Sequence, residues 1–285
     1  MHQANCLNCE SSLQGDEKFC PVCGQKTATH RFTWTHFFHE GWHAFTHTDK
    51  GILSLMKGLA TNPGKTVSEY VDGKHKKYFN PITFLLLCLG LMVLVNSFTK
   101  PFGEPKPDPE ILEQLKDDEQ KKQAYLKYIN RSIVAFNFQQ KHPNITAMIL
   151  MPFEAFILWL FFRRRGRNYV EFLIATIFIS GFATLIFSCV LGPIMFLFKE
   201  TPAYLWMWLI ALISMILYNV WGMKGFLSNP EPIAYWKPFS VWLLYFVLMI
   251  AIISVFFLWY VFRENTGLVF KAIIQQLKKY VDSHF

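Results

Sequence analysis

The sequence predicts an all-α polytopic membrane protein: five transmembrane helices, a small N-terminal zinc ribbon and juxtamembrane amphipathic helices. Three observations predict it. Apolar residues make up 52% of the 285 residues, and 29 of them are phenylalanine, which is not how a soluble domain is built. They gather into five charge-poor stretches, 79–99, 143–162, 172–198, 201–223 and 238–262. Each reaches the roughly 20 residues that cross a bilayer core of about 30 Å, and a backbone in lipid must close its own hydrogen bonds, so these are helices. The third observation is a paired cysteine pattern ahead of the first stretch.

That pattern lies in a head spanning 1–29, where Cys6, Cys9, Cys20 and Cys23 form two C-x2-C pairs separated by ten residues. Two close pairs joined by a short hairpin present four thiolates to one tetrahedral Zn²⁺, a closed shell with no position for a substrate. The head is too short for a core of its own, so metal binding would supply its folding energy. Two disulfides, a redox pair or a rubredoxin-like iron site use the same spacing. Disulfides conflict with a reducing compartment. Cys88 and Cys189 lie within spans and read as small apolar fillers.

Residues 30–78 read as a collar of amphipathic helices on the cytoplasmic side. A first helix, capped by Thr33 or Thr35, carries His36, His39, His43 and His47 on one face. That spacing suits a second metal or a haem; it equally suits a surface helix with histidines along its polar edge. A second helix starts near Asp49 and stops at Asn62-Pro63-Gly64. Thr66 and Glu69 then read as a T-x-x-E capping box for a short helix ending near Val71. Gly73 sits where a helix-terminating glycine belongs, and Lys74, Lys76 and Lys77 would meet anionic headgroups. Asn80 caps the first span, with Pro81 at its first helical position.

The head, the aromatic and histidine-rich helix, the N-P-G turn and the run from Glu69 to Tyr78 resemble a bacterial family known as domain of unknown function 3667. The family's G-K-R-x-x-Y-x-x-P signature is met by Gly73, Lys74, Tyr78 and Pro81, with His75 in place of the arginine. A later Y-V-E-H element is met by Tyr169, Val170 and Glu171, with Phe172 in place of the histidine, so any role of that histidine is absent or displaced. The resemblance implies a multi-pass protein of the bacterial cytoplasmic membrane. It implies no activity.

Beyond the first span, residues 100–142 form the one sizeable inter-span loop, proline-rich and then helical, expected as an extracytoplasmic hairpin or cap. In the second span, Glu154 follows Pro152 by two residues and is the only ionisable group deep in any span. A carboxylate there must find a partner or hold its proton. Asn96, Ser180, Thr184, Ser188, Ser214 and Ser254 are the polar candidates on other spans, and none is cationic. The third span should kink near Gly192-Pro193, and residues 263–285 form an amphipathic tail.

The net charge is +8, but the basic residues flank spans rather than forming a nucleic-acid patch. Lys74, Lys76, Lys77, Arg163, Arg164, Arg165, Arg167, Lys224 and Lys237 outnumber those on the other side, which places the N-terminus in the cytoplasm. No phosphate-binding glycine loop or nucleophile elbow occurs. Three functions remain. The first is a scaffold subunit that binds a protein partner or a second copy, together with membrane lipids. The second is a proton-coupled or small-substrate carrier centred on Glu154. The third is a membrane metalloenzyme or haem protein using the His36–His47 face. Nothing in the sequence assigns a reaction, and the balance leans away from an enzyme.

Overall fold

The computed structural model describes residues 5–14, 17–27, 33–34, 51–99, 105–199, 201–228 and 231–262, with residues 261 and 262 described by backbone only. The expected histidine-bearing helix with His36, His39, His43 and His47, and the expected tail 263–285, lie outside the described residues. The described chain is all-α apart from isolated bridges in the head, and five of its helices are long and apolar enough to cross a membrane.

Two compact units form. One comprises residues 1–99 and 143–245, the other 100–142 and 246–285. In the first unit, α1 (Ile52–Thr61) buries Leu55 and Leu59, one turn apart on one face, and turns Leu53 outward. Asn62 ends it, with its N–H on the Gly58 carbonyl at 2.8 Å. The same Asn62 starts α2 (Pro63–Val71): its side chain accepts from Lys65 N–H at 3.3 Å, and Pro63 fills the first helical position. The expected Thr66–Glu69 capping box is therefore corrected. The helix begins four residues earlier, capped by Asn62 rather than Thr66, whose Oγ1 donates to the Asn62 carbonyl, and Glu69 is used elsewhere. The stronger cap wins because Asn-Pro combines a side-chain acceptor with a residue that lacks the N–H left orphaned at a helix start.

α2 is not a surface element. Only Lys65 and Glu69 of its nine residues escape burial, and it packs against the third and fourth spans. Its crossing with the fourth span is glycine on glycine. A Cβ on Gly64 would overlap the backbone of Gly225 and Phe226, and one on Gly225 would come within 3.0 Å of Gly64 Cα.

The first span is α3 (Pro81–Thr99), with Asn80 Oδ1 accepting from Ile82 N–H at 2.9 Å. The second is α6 (Pro143–Phe162), numbered after two helices of the other unit, and it continues into a 3₁₀ turn, Arg163–Arg165. The third is α7 (Tyr169–Ile186), started by a reciprocal Asn168–Glu171 capping box. It runs through a π-helical turn, Phe187–Leu191, into α8 (Gly192–Leu197). The expected kink at Gly192-Pro193 takes this form: Pro193 has no N–H to return to the preceding turn, and the ladder shifts register just before it. The fourth and fifth spans are α9 (Ala203–Leu227) and α10 (Trp236–Phe262). The third span is the axis, with 67% of its most apolar window buried against 33% or less in the others. It contacts α2, α3, α6 and α9.

The second unit holds α4 (Pro109–Gln114), α5 (Glu119–Lys141) and the later part of α10. Asp108 and Asp118 cap the two short-loop helices, and Asp108 N–H donates to the Tyr125 hydroxyl at 3.0 Å. Phe136 meets Phe257 of α10 edge-on.

Candidate functional site

The head is built from two matching knuckles. Cys6 N–H bonds the Ser11 carbonyl and Cys20 N–H the Gln25 carbonyl, five residues on in each case. Glu10 N–H returns to Cys6 and Gly24 N–H to Cys20. The residue after each pair takes a positive φ, 63° at Glu10 and 70° at Gly24. The repeat aims four sulfurs at one point, all within 4.8 Å of one another. Cys6–Cys23 and Cys9–Cys20 sulfurs are 3.6 Å apart. A tetrahedral metal with sulfur bonds of about 2.3 Å has S···S edges of about 3.8 Å. A disulfide would need about 2.05 Å. The four cysteines therefore fit a metal ion. The Ser11 hydroxyl and then the Cys23 N–H pull the Cys20 thiol down to about 6, toward the thiolate form that binds metal, while burial pushes Cys6 up to about 11.

The head is clasped to the entrance of the first span. Gln25, buried between them, donates from Nε2 to the Gly73 carbonyl at 2.8 Å and accepts at Oε1 from Lys76 N–H at 3.0 Å. Gly73 closes α2 in a Schellman turn, its own N–H on Tyr70 and that of Lys74 on Glu69, at φ 114°. Only a residue without Cβ takes that turn cheaply. The next residues coil back so that Lys77 Nζ and Tyr78 Oη each reach Glu69 Oε2 at 2.6 Å, with Lys74 Nζ 3.5 Å from its other oxygen. Burial alone would raise the Glu69 carboxyl. The Lys77 and Tyr78 hydrogen bonds outweigh it and bring the group down to about 2. Lys76 gives its backbone to the clasp, and Pro81 opens the span.

A second joint faces the first. Arg167 pairs with Asp72 at 2.6 Å and lies over the Phe226 ring. Tyr169 donates to the Pro152 carbonyl at 3.0 Å and packs against Trp34. Glu171, buried, serves the capping box. Phe172 is buried edge-on against Phe226.

Inside the bundle, Ser180 Oγ lies 2.9 Å from Glu154 Oε1 and 2.8 Å from Asn219 Oδ1. Asn219 Nδ2 donates to the Met215 carbonyl at 2.9 Å, which turns its oxygen toward Ser180. A hydroxyl has one proton. Ser180 gives it to Asn219, so the bond to Glu154 is made by a protonated carboxyl donating to Ser180. Trp242 of α10 meets the same carboxyl. The third span thus meets Glu154 directly, the fourth reaches it through Asn219 on Ser180, and the fifth brings Trp242 to the same carboxyl.

Several of these residues escaped the sequence reading. Gln25 carries no signal, being one glutamine after a knuckle. Asn219 is the lone amide of the fourth span and was visible. Residues 39–43 read His-Glu-Gly-Trp-His, an H-E-x-x-H pattern whose two histidines would share a face if helical; they too lie outside the described residues.

No curated protein and no solved structure matches the chain. A family described as Protein of unknown function (DUF3667) matches residues 49–93, the stretch that contains α1, α2, Glu69, Gly73, Tyr78 and most of α3. Over that stretch, the joint at the head of the first span, the chain is similar to this family of unknown function.

Proposed function

We propose that the chain is a scaffold subunit of a bacterial cytoplasmic-membrane complex, with a structural zinc in its head and a protein partner docked on that head. The observation that carries this reading is the second knuckle. Gln25 holds it against the span entrance, while Phe19 and Val22 point outward, 55% and 72% exposed. Four cysteine ligands fill a zinc shell, which suits support rather than catalysis. The basic residues Lys74, Lys76, Lys77, Arg163 and Arg164 sit at the head's end of the spans, which suits a cytoplasmic head over anionic lipid. A photo-crosslinker placed at Val22 in native membranes should trap a discrete protein. Phe19→Ser with Val22→Ser should lose that protein while keeping the metal. Absence of any crosslinked protein ends this reading.

The H-E-G-W-H pattern supports a second reading, a membrane metallohydrolase with His39 and His43 as ligands and Glu40 as base. It requires a second metal per chain that His39→Ala removes and the cysteine substitutions leave in place; one metal per chain excludes it. A carrier centred on Glu154 has less support, since Glu154, Ser180 and Asn219 bond one another.

A further inference from the structure

We infer that the metal centre of the head is the staple of the first span's entrance: metal occupancy sets whether the Gly73–Tyr78 joint is closed. The inference goes beyond partner binding and rests on one side chain used at both ends. Gln25 belongs to the metal knuckle, since its carbonyl accepts the N–H of Cys20, and Cys23 precedes it by two residues. Its amide group spends both polar ends on the joint, on the Gly73 carbonyl and the Lys76 N–H. Those two bonds straddle the turn that brings Lys74, Lys77 and Tyr78 back to Glu69.

The coupling follows from size. The head between Asn5 and Thr27 has its knuckles tied by isolated bridges and by the four sulfurs, with Cys6 and Cys20 as its buried apolar residues. Such a unit has too little apolar surface to fold unaided, so removing the metal releases the knuckle. A released knuckle cannot hold a side chain amide in a fixed two-bond geometry. The Lys76 N–H then loses its acceptor, and the turn keeps only its own Schellman bonds and the Glu69 contacts. Because the coupling is a free energy between two sites, it acts equally in reverse: breaking the clasp weakens metal binding by the factor by which the metal steadies the clasp.

The test is amide hydrogen exchange of the full chain in nanodiscs, with zinc content measured on the same samples. Stripping the metal with a chelator should speed exchange at Lys76 by about tenfold or more, leave the α7 core unchanged, and be reversed by added zinc. Gln25→Ala should still load zinc, through unaltered cysteines, but with affinity lower by a similar factor in chelator competition. Its Lys76 amide should already exchange fast in the loaded state and respond no further to stripping. Equal protection of Lys76 in loaded and stripped protein overturns the inference. So does a Gln25→Ala protein with wild-type protection and wild-type zinc affinity. A preparation that never binds metal overturns it as well, together with the zinc reading of the head.

Discussion

At the scale of single residues, the donor and acceptor count around Ser180 decides the form of Glu154. With Asn219 oriented by the Met215 carbonyl, the one consistent chain of protons runs from the Glu154 carboxyl to Ser180, to Asn219, to Met215. Gln in place of Glu154 offers the same donor and acceptor in the same shape. Glu154→Gln should therefore melt within about 0.5 kcal/mol of wild type, and Glu154→Ala should lose about 1–3 kcal/mol by leaving a buried hydroxyl without its donor. Equal losses in both variants would mean that the carboxylate is charged. Glu69 is the opposite case. Its folded value of about 2 lies below the ordinary 4.5, so its contribution is complete above pH 4.5 and fades as pH falls toward 2. The melting difference between wild type and Glu69→Gln should stay constant from pH 7 to about pH 5 and shrink below it; a difference that grows on acidification would reverse the assignment. Glu154 was legible in the sequence, because a carboxyl between Pro152 and Phe156 has no reason to be there without partners. Glu69 was legible only as a wrong thing, a helix cap, because the residues that claim it come eight and nine positions later, through a turn that local pattern does not encode.

At the scale of elements, the five spans announced themselves through length and apolarity, since lipid imposes both. The hairpin of α1 and α2 did not. Its hydrophobic pattern reads as amphipathic, and amphipathic helices beside a span are expected to lie on the surface. What the pattern hides is that Gly64 and Gly225, remote in sequence, remove side chains from the same spot and let two backbones meet. Lys65 and Glu69, one turn apart, then mark the one open face of a helix that otherwise packs against α7 and α9. The contact makes a sharp prediction. Gly225→Leu must push α2 off α9 and should cost about 1–3 kcal/mol or more in thermal stability, with faster proteolysis between α1 and α3. Gly90→Leu, on the first span with open space around its Cβ position, is the control and should be near neutral. Similar behaviour of the two variants would place the α2–α9 contact in doubt.

At the scale of the whole molecule, the basic residues and the head share one end of the spans, and this fixes the expected orientation. Lys74 and Lys77 bind Glu69, Arg167 binds Asp72, and Arg165 lies 4.0 Å from the Glu231 carboxylate, so part of this charge is neutralised locally. Arg163, Arg164 and Lys76 remain exposed or half-exposed at the same end. Positive residues near span ends are retained on the cytoplasmic side, and anionic lipid there adds about 1 kcal/mol for each one near the surface. At the opposite end, the turn between α8 and α9 offers Lys199 alone among its described residues. A cysteine placed at Thr201, exposed in that turn, should react with a membrane-impermeant maleimide on intact cells. A cysteine at Arg164 should react only after the membrane is opened, and so should the four head thiols once their metal is chelated. Labelling of Arg164→Cys from outside, with Thr201→Cys protected, would invert the protein in its membrane. It would also put the four thiols in an oxidising compartment, where disulfides rather than zinc would be their expected state.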